Sequence, residues 1–152
     1  MINRNILLDQ IDKKISNLKK AGDFQIPAKG WINAVRLSLN MSFRQMGLKL
    51  GVTAQSASEM EKREADDSIS LNGLKNFAAA MDMKFVYGFV PNDGSLEKIV
   101  EKRAYKIAKE IVGRTSVNMS LEDQKNTEER LKKAVKERAE DIMREMPRYL
   151  WD

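Results

Sequence analysis

The stretch that decides the fold is Met41–Arg63, MSFRQMGLKLGVTAQSASEMEKR. It reads as two short helices joined by a tight turn. Ser42 is placed to cap the first helix, and Gln45 three residues on completes an S-x-x-Q capping box. Phe43, Met46, Gly47 and Leu50 recur at helical spacing and make one apolar face. Gly51 supplies the backbone freedom needed just past a helix end. Val52 reads as a buried plug, and Thr53 as the N-cap of the second helix. In that helix Ala57 and Met60 point inward, while Gln55, Ser56, Ser58, Glu59 and Lys62 point outward. A short helix, a glycine turn and a helix with a polar outer face make a helix-turn-helix candidate.

The polar face has a specific chemical use. Residues at the start of a recognition helix meet base edges in the major groove. Gln can make a paired hydrogen bond to adenine, Ser is an all-purpose partner, and Ala or a Thr methyl can touch the thymine methyl. Thr53, Ala54, Gln55 and Ser56, with Ser58, form that chemical set, and Arg44, Lys49 and Lys62 are candidates for holding phosphates. The same pattern fits an ordinary helical hairpin whose polar face meets only water. Spacing alone leaves both readings open.

Further residues bring a family into view. WINAVRLSLNMSFRQMGLKLGVTAQSASEMEK, residues 31–62, resembles the Cro and phage-repressor helix-turn-helix family, of Xre type. The resemblance puts Gly47 where that family needs a small residue for its helices to cross closely. It puts Arg36 and Glu61 where several members form a buried ion pair between the first and third helices. Over essentially the whole chain, the sequence is similar to a narrower bacterial family, mobile mystery protein A. Gly30-Trp31, Ser42 to Gln45, the recognition helix, Ser68 to Pro91, Met119 to Gln124 and Leu150 to Asp152 carry that likeness. The family is found beside mobile mystery protein B, a companion with a Fic domain. The resemblance therefore implies an antitoxin-like pairing as well as DNA binding.

Composition sets the bounds. At 152 residues with a hydrophobic fraction of 42%, the chain can support a core, which argues against wholesale disorder. It has no Cys, so no disulfide, thiol nucleophile or thiolate metal site is available. The apolar run Ile6-Leu7-Leu8 is interrupted at once by Asp9, unlike a signal peptide. No stretch approaches the roughly 18 apolar residues of a membrane span. A cytoplasmic protein without membrane association is expected. The net charge of +5 permits nucleic acid without demanding it. Residues 1–94 carry 13 basic and 10 acidic side chains and residues 95–152 carry 14 and 12, so neither half is a polybasic tail. DNA affinity would have to come from a local arrangement of Lys and Arg.

Three regions are expected. Residues 1–22 read as an amphipathic helix ending near Ala21-Gly22, with Ile2, Ile6, Leu7, Ile11, Ile15 and Leu18 on one face. Its Lys13, Lys14, Lys19 and Lys20 suit either phosphates or a solvated face. Residues 23–94 hold the helix-turn-helix domain. A Gly/Pro-containing linker precedes its first helix, Trp31 to Leu39, with Ile32, Val35 and Leu39 inward and Trp31 anchoring the linker. Glu64, Asp66 and Asp67 follow the recognition helix and would repel phosphates at close range. Ser70 caps a helix with Leu71, Leu74, Phe77, Ala78 and Met81 inward. Residues 84–90, KFVYGFV, read as one short strand. A lone strand needs a partner, either elsewhere in the chain or in a second copy. Residues 95–152 read as a C-terminal helical region. Ser95 caps a helix with Leu96, Ile99, Val100, Ala104, Ile107, Ala108 and Ile111 inward, ended by Gly113. Ser120, with Asp123, opens another, with Leu121, Gln124, Leu131, Val135, Ala139, Ile142 and Met146 inward, stopped by Pro147. Trp151 is expected to tuck into these helices.

An enzyme has little to work with here. His is absent, which removes the commonest general base and metal ligand. No phosphate-binding or nucleophile-elbow motif occurs. The carboxylate pairs Glu122-Asp123, Glu128-Glu129 and Glu140-Asp141 are adjacent on helices and do not face each other. The nine Met residues sit largely in apolar stripes and read as core filler. The fold expected is mainly α, a Cro/repressor-like helix-turn-helix bundle with one short β-strand and added N- and C-terminal helices. The function expected is a sequence-specific reader of double-stranded DNA, a homodimeric repressor of its own operon, with no catalysis, metal or cofactor. The alternative is an antitoxin-like module that binds and restrains a Fic-domain partner, mobile mystery protein B.

Overall fold

The computed structural model of the chain describes residues 3–20, 24–115 and 124–152. They are mainly helical: α1 (Arg4–Lys19), α2 (Gly30–Ser38), α3 (Phe43–Leu50), α4 (Ala54–Ala65), α5 (Leu71–Ala80), α6 (Leu96–Thr115) and α7 (Gln124–Glu145). A 3-10 turn, Arg148–Trp151, follows. The chain divides into two compact units, α2 to α5 in one and α1, α6, α7 and the 3-10 turn in the other. No helix among the described residues is long and apolar enough to cross a membrane.

In the first unit, local chemistry sets the helix ends. The Ser42 hydroxyl accepts from the Gln45 N–H at 3.2 Å while the Gln45 side chain accepts from the Ser42 N–H at 2.9 Å, a complete capping box. Thr53 accepts from the Ser56 N–H and Ser70 from the Gly73 N–H, so α4 and α5 are capped in the same way. Ile32, Met46, Ala57 and Phe77 form the core, with Val35, Met41, Phe43, Leu50, Met60, Ile69, Leu74 and Met81 packed around it. Leu39, Val52 and Leu71, expected inside, are exposed. Leu39 is the C-cap of α2, Leu71 the first residue of α5, and Val52 lies in the turn between α3 and α4. Each sits where a helix end lets its side chain clear the core. Trp31 lies against Phe24, ring centroids 6.2 Å apart.

The second unit is built on the packing of α6 against α7. Val100, Ala104, Ile107 and Ala108 of α6 meet Ala139 and Ile142 of α7, and Leu150 closes the end. Small alanines on facing turns let the two backbones approach. Leu150, not Trp151, is fully buried; Trp151 is exposed. The Arg103 Nε donates to the Leu150 carbonyl at 2.5 Å and holds the 3-10 turn in place. Ile99 falls at the edge of the α6 stripe and is exposed. Gly113 does not end α6, which continues through Thr115.

α1 buries no residue completely, and Ile6 and Leu7 are exposed; Leu8, outside the expected stripe, packs on the core. Polar contacts fasten this helix. The Asp12 carboxylate accepts from the Leu96 and Glu97 N–H groups at 2.7 and 3.1 Å and so caps α6 together with Ser95. Arg4 and Asn5 donate to the Met146 and Arg144 carbonyls at the end of α7. The readings placed on Ile2, Ala21-Gly22, the side chain of Gln124, and residues 119–123 with their Ser120 cap lie outside the described residues.

The strand expected over residues 84–90 is absent. These residues carry no regular secondary structure, and no hydrogen bond joins their backbone to another described residue. Strand propensity reflects fit to a pleated, paired surface. The described residues of one chain offer no other strand for these to pair with.

Candidate nucleic-acid interface

The candidate surface begins at the α3–α4 connection. Gly51 takes the left-handed conformation, φ +69°, which lets α3 stop and the chain reverse. Gly47 permits the close approach of the turn. A Cβ at that position would lie 2.7 Å from the Val52 carbonyl oxygen and 3.0 Å from that of Thr53. Those are backbone atoms, so they cannot swing aside.

α4 then presents two faces. Its inner face carries Ala57, Met60, Glu61 and Glu64, and both acids are engaged with α2. Arg36 Nε donates to Glu61 Oε2 at 2.6 Å and Arg36 Nη2 to Glu61 Oε1 at 3.1 Å, a two-point contact. Asn33 Nδ2 donates to Glu61 Oε1 at 2.6 Å. Arg36 is itself fixed, with Nη1 donating to the Met41 carbonyl at 3.0 Å and the guanidinium 4.0 Å from the centre of the Phe43 ring. Burial pushes the Glu61 carboxyl up. Hydrogen bonds from Arg36 and Asn33, and the charges of Arg36 and Lys29, outweigh it and hold the group below its ordinary value.

Glu64 binds a helix end. Its two carboxylate oxygens accept from the Trp31 and Ile32 N–H groups, each at 2.7 Å. α2 starts without a capping side chain of its own, since Lys29 occupies the N-cap. A carboxylate against the free N–H groups and positive end of the helix supplies that cap. Gly30, at φ +87°, leaves the room: a Cβ there would lie 2.8 Å from Glu64 Cδ. Glu64, expected to repel phosphates, is thus turned toward α2. Asp66 and Asp67 remain exposed at the end of α4.

The outer face of α4 holds the candidate readers. Thr53, Ala54, Gln55 and Ser56 are exposed on its first turn, and Ser58 is half-buried. The Thr53 hydroxyl is committed, accepting from the Ser56 N–H at 3.1 Å and donating to the Ser56 hydroxyl at 3.0 Å. Its methyl group is what it has left to offer a base. Gln55 holds no side-chain hydrogen bond among the described residues. Lys62, seven residues on, lies within about 20° of the same helix face. Glu59, between them, is 3.9 Å from Arg63, an exposed pair. Arg44 on the first turn of α3, Lys49 on its last turn, and Lys62 are exposed and hold no ion pair among the described residues.

Reading the sequence missed Asn33, Lys29 and Glu64. A signal existed for Glu64: a helix opening at Lys29-Gly30 with no Ser, Thr, Asp or Asn, and an acid one turn beyond Glu61 on the same face. Compared with protein-family models, curated proteins and solved structures, the chain matches none.

Proposed function

We propose that the chain is a sequence-specific reader of double-stranded DNA that acts in the cytoplasm as a dimer and represses its own operon. On this reading α3 and α4 are a helix-turn-helix, and the chain belongs with the repressor-type and mobile mystery protein A families that its residues resemble. The observation that carries the proposal is an exposed Thr53-Ala54-Gln55-Ser56 turn at the start of a helix whose inner face is fastened to α2 by two acids. Gln55 reads adenine, Ala54 and the Thr53 methyl meet a thymine methyl, and Ser56 and Ser58 add polar contacts. Arg44, Lys49 and Lys62 hold phosphates and set register. Repression is steric, by occupying an operator.

The test is a fluorescence titration against DNA from upstream of the chain's own coding region, with scrambled DNA as control, at two salt concentrations. Preference for the upstream DNA by about a thousandfold or more supports the reading. Weak, salt-labile binding without preference is generic phosphate attraction and overturns it.

A second reading rests on the unit of α1, α6 and α7, which has its own core and carries none of the proposed DNA-reading residues. It suits an antitoxin-like module that holds a Fic-domain protein. Co-purification of the full chain with such a partner tests it. Gln55→Ala should spare capture while weakening DNA binding.

A further inference from the structure

We propose that residues 84–90 are the pairing strand of a homodimer, in which the segment lies antiparallel to the same segment of a second copy with the two-fold axis at Tyr87. This deepens the DNA-binding reading, which calls for a dimer, and rests on it only for the use to which the dimer is put.

KFVYGFV has the composition of a strand and none of a strand's bonds among the described residues. Most of its side chains lie open: Val86 is 72% exposed, Tyr87 60% and Phe89 86%, while Phe85 is half-buried. Phe85 and Tyr87 stack with centroids 5.5 Å apart and ring planes 19° apart, as residues on one face of a strand do. That alternation puts Phe89 on the same face. The backbone groups of 84–90 hold no bond to the backbone of another described residue, and Tyr87 and Phe89 are open to another strand.

The occupant is a second copy because the segment is self-complementary. It is bounded by Met83, whose N–H is taken by the Ala78 carbonyl, and by Pro91, which has no N–H to donate. Its centre is Tyr87. Antiparallel pairing about that centre sets Phe85 against the partner's Phe89 and Tyr87 against the partner's Tyr87. All three aromatics of each chain then meet aromatics across the pair, the favourable cross-strand combination. Moving the centre to Gly88 opposes Phe85 with proline. Moving it to Val86 leaves Phe89 opposite methionine. The segment's one charge, on Lys84, faces the partner's Val90 and not its like. Aromatic side chains bury about 150–250 Å² each.

The full chain has no cysteine, so introduced ones report on pairing without background. Sedimentation equilibrium of the wild type at micromolar concentrations should give twice the single-chain mass. Directly opposed residues have Cα atoms about 4.5–5.5 Å apart, within disulfide range. Residue 89 lies about 13 Å from its own counterpart, at roughly 3.3 Å per residue. Tyr87→Cys alone should therefore oxidise to a covalent dimer. Phe85→Cys alone and Phe89→Cys alone should not, and the two mixed should cross-link with each other. A single-chain mass throughout, or equal cross-linking of all three single variants, overturns the proposal. A monomer that still prefers the upstream DNA overturns the pairing and leaves the DNA reading standing. A cross-linked dimer without that preference does the reverse.

Discussion

Glu61 of α4 and Arg36 of α2 meet at 2.6 Å with both side chains largely buried, and Asn33 shares the same carboxylate. One turn further along α4, Glu64 takes the N–H groups of Trp31 and Ile32, the second and third residues of α2. Two acids of one helix thus grip a neighbour through its last turn and its start. The contacts that fix α4 on α2 use none of its outer-face side chains, and Gln55 there holds no side-chain hydrogen bond among the described residues.

Breaking the buried pair from one side should be severe. Arg36→Met leaves the Glu61 carboxylate without its cation, a change expected to cost about 3–5 kcal/mol. The double variant Arg36→Met, Glu61→Leu removes the orphaned charge and should recover most of that loss. Urea unfolding monitored by circular dichroism measures both. Equal loss in the single and double variants would show that the packing of Arg36 on Phe43, not the charge, is what matters.

The same pair predicts a pH dependence. Glu61 is held below its ordinary value in the folded chain, while in the unfolded chain it titrates near about 4.3. The folded state thus releases this proton more readily. Its contribution to stability is complete above the unfolded value and is lost as pH falls from there through the folded one. Glu61→Gln should therefore lower the urea midpoint near pH 7 and narrow its gap to wild type as pH falls below about 4. A gap that is constant from pH 7 to pH 3 would contradict the assignment.

Two glycines in helices should answer the same substitution with opposite signs. Gly47→Ala drives a methyl into the Val52 and Thr53 carbonyls, an overpacking worth about 1–3 kcal/mol that outweighs the gain in helix propensity. At Gly113 an added Cβ meets no described atom within 4 Å, and α6 continues past it. Gly113→Ala should stabilise by about 0.5–1 kcal/mol. Thermal melts of the two variants against wild type decide the signs.

What was legible in the sequence was local. Ser42 with Gln45, Thr53, Ser70 and Gly51 mark helix ends by chemistry that reaches only three residues, and the helices begin or stop beside them. What was not legible depended on distance. Asp12 caps a helix that starts 84 residues later, and nothing near Asp12 announces it. Glu64 looked like a charge on the outer face until Gly30 and the uncapped start of α2 were brought against it. Leu39, Val52 and Leu71 follow the apolar pattern but sit at helix ends, where periodicity no longer fixes direction. Residues 84–90 have strand composition, and strand formation depends on a partner strand that the described residues do not provide.

On the DNA-binding reading proposed above, the candidate readers separate by the kind of contact each would make. Gln55→Ala would remove the proposed base contact, so affinity for the preferred DNA should fall by about 1–3 kcal/mol with discrimination relaxed at one position. Arg44→Ala, Lys49→Ala and Lys62→Ala would remove the proposed phosphate contacts. Each should weaken binding about equally on preferred and scrambled DNA and reduce the magnitude of the slope of log K against log salt by about one. Thr53→Ser keeps the hydroxyl that caps α4 and loses only the methyl, so helix content should hold while any preference for thymine declines. The measurement is a salt series of titrations on a set of single-base operator variants. If Gln55→Ala behaves like the lysine variants, with a uniform loss and no position relaxed, then the first turn of α4 does not read bases and its exposed polar face is a solvated one.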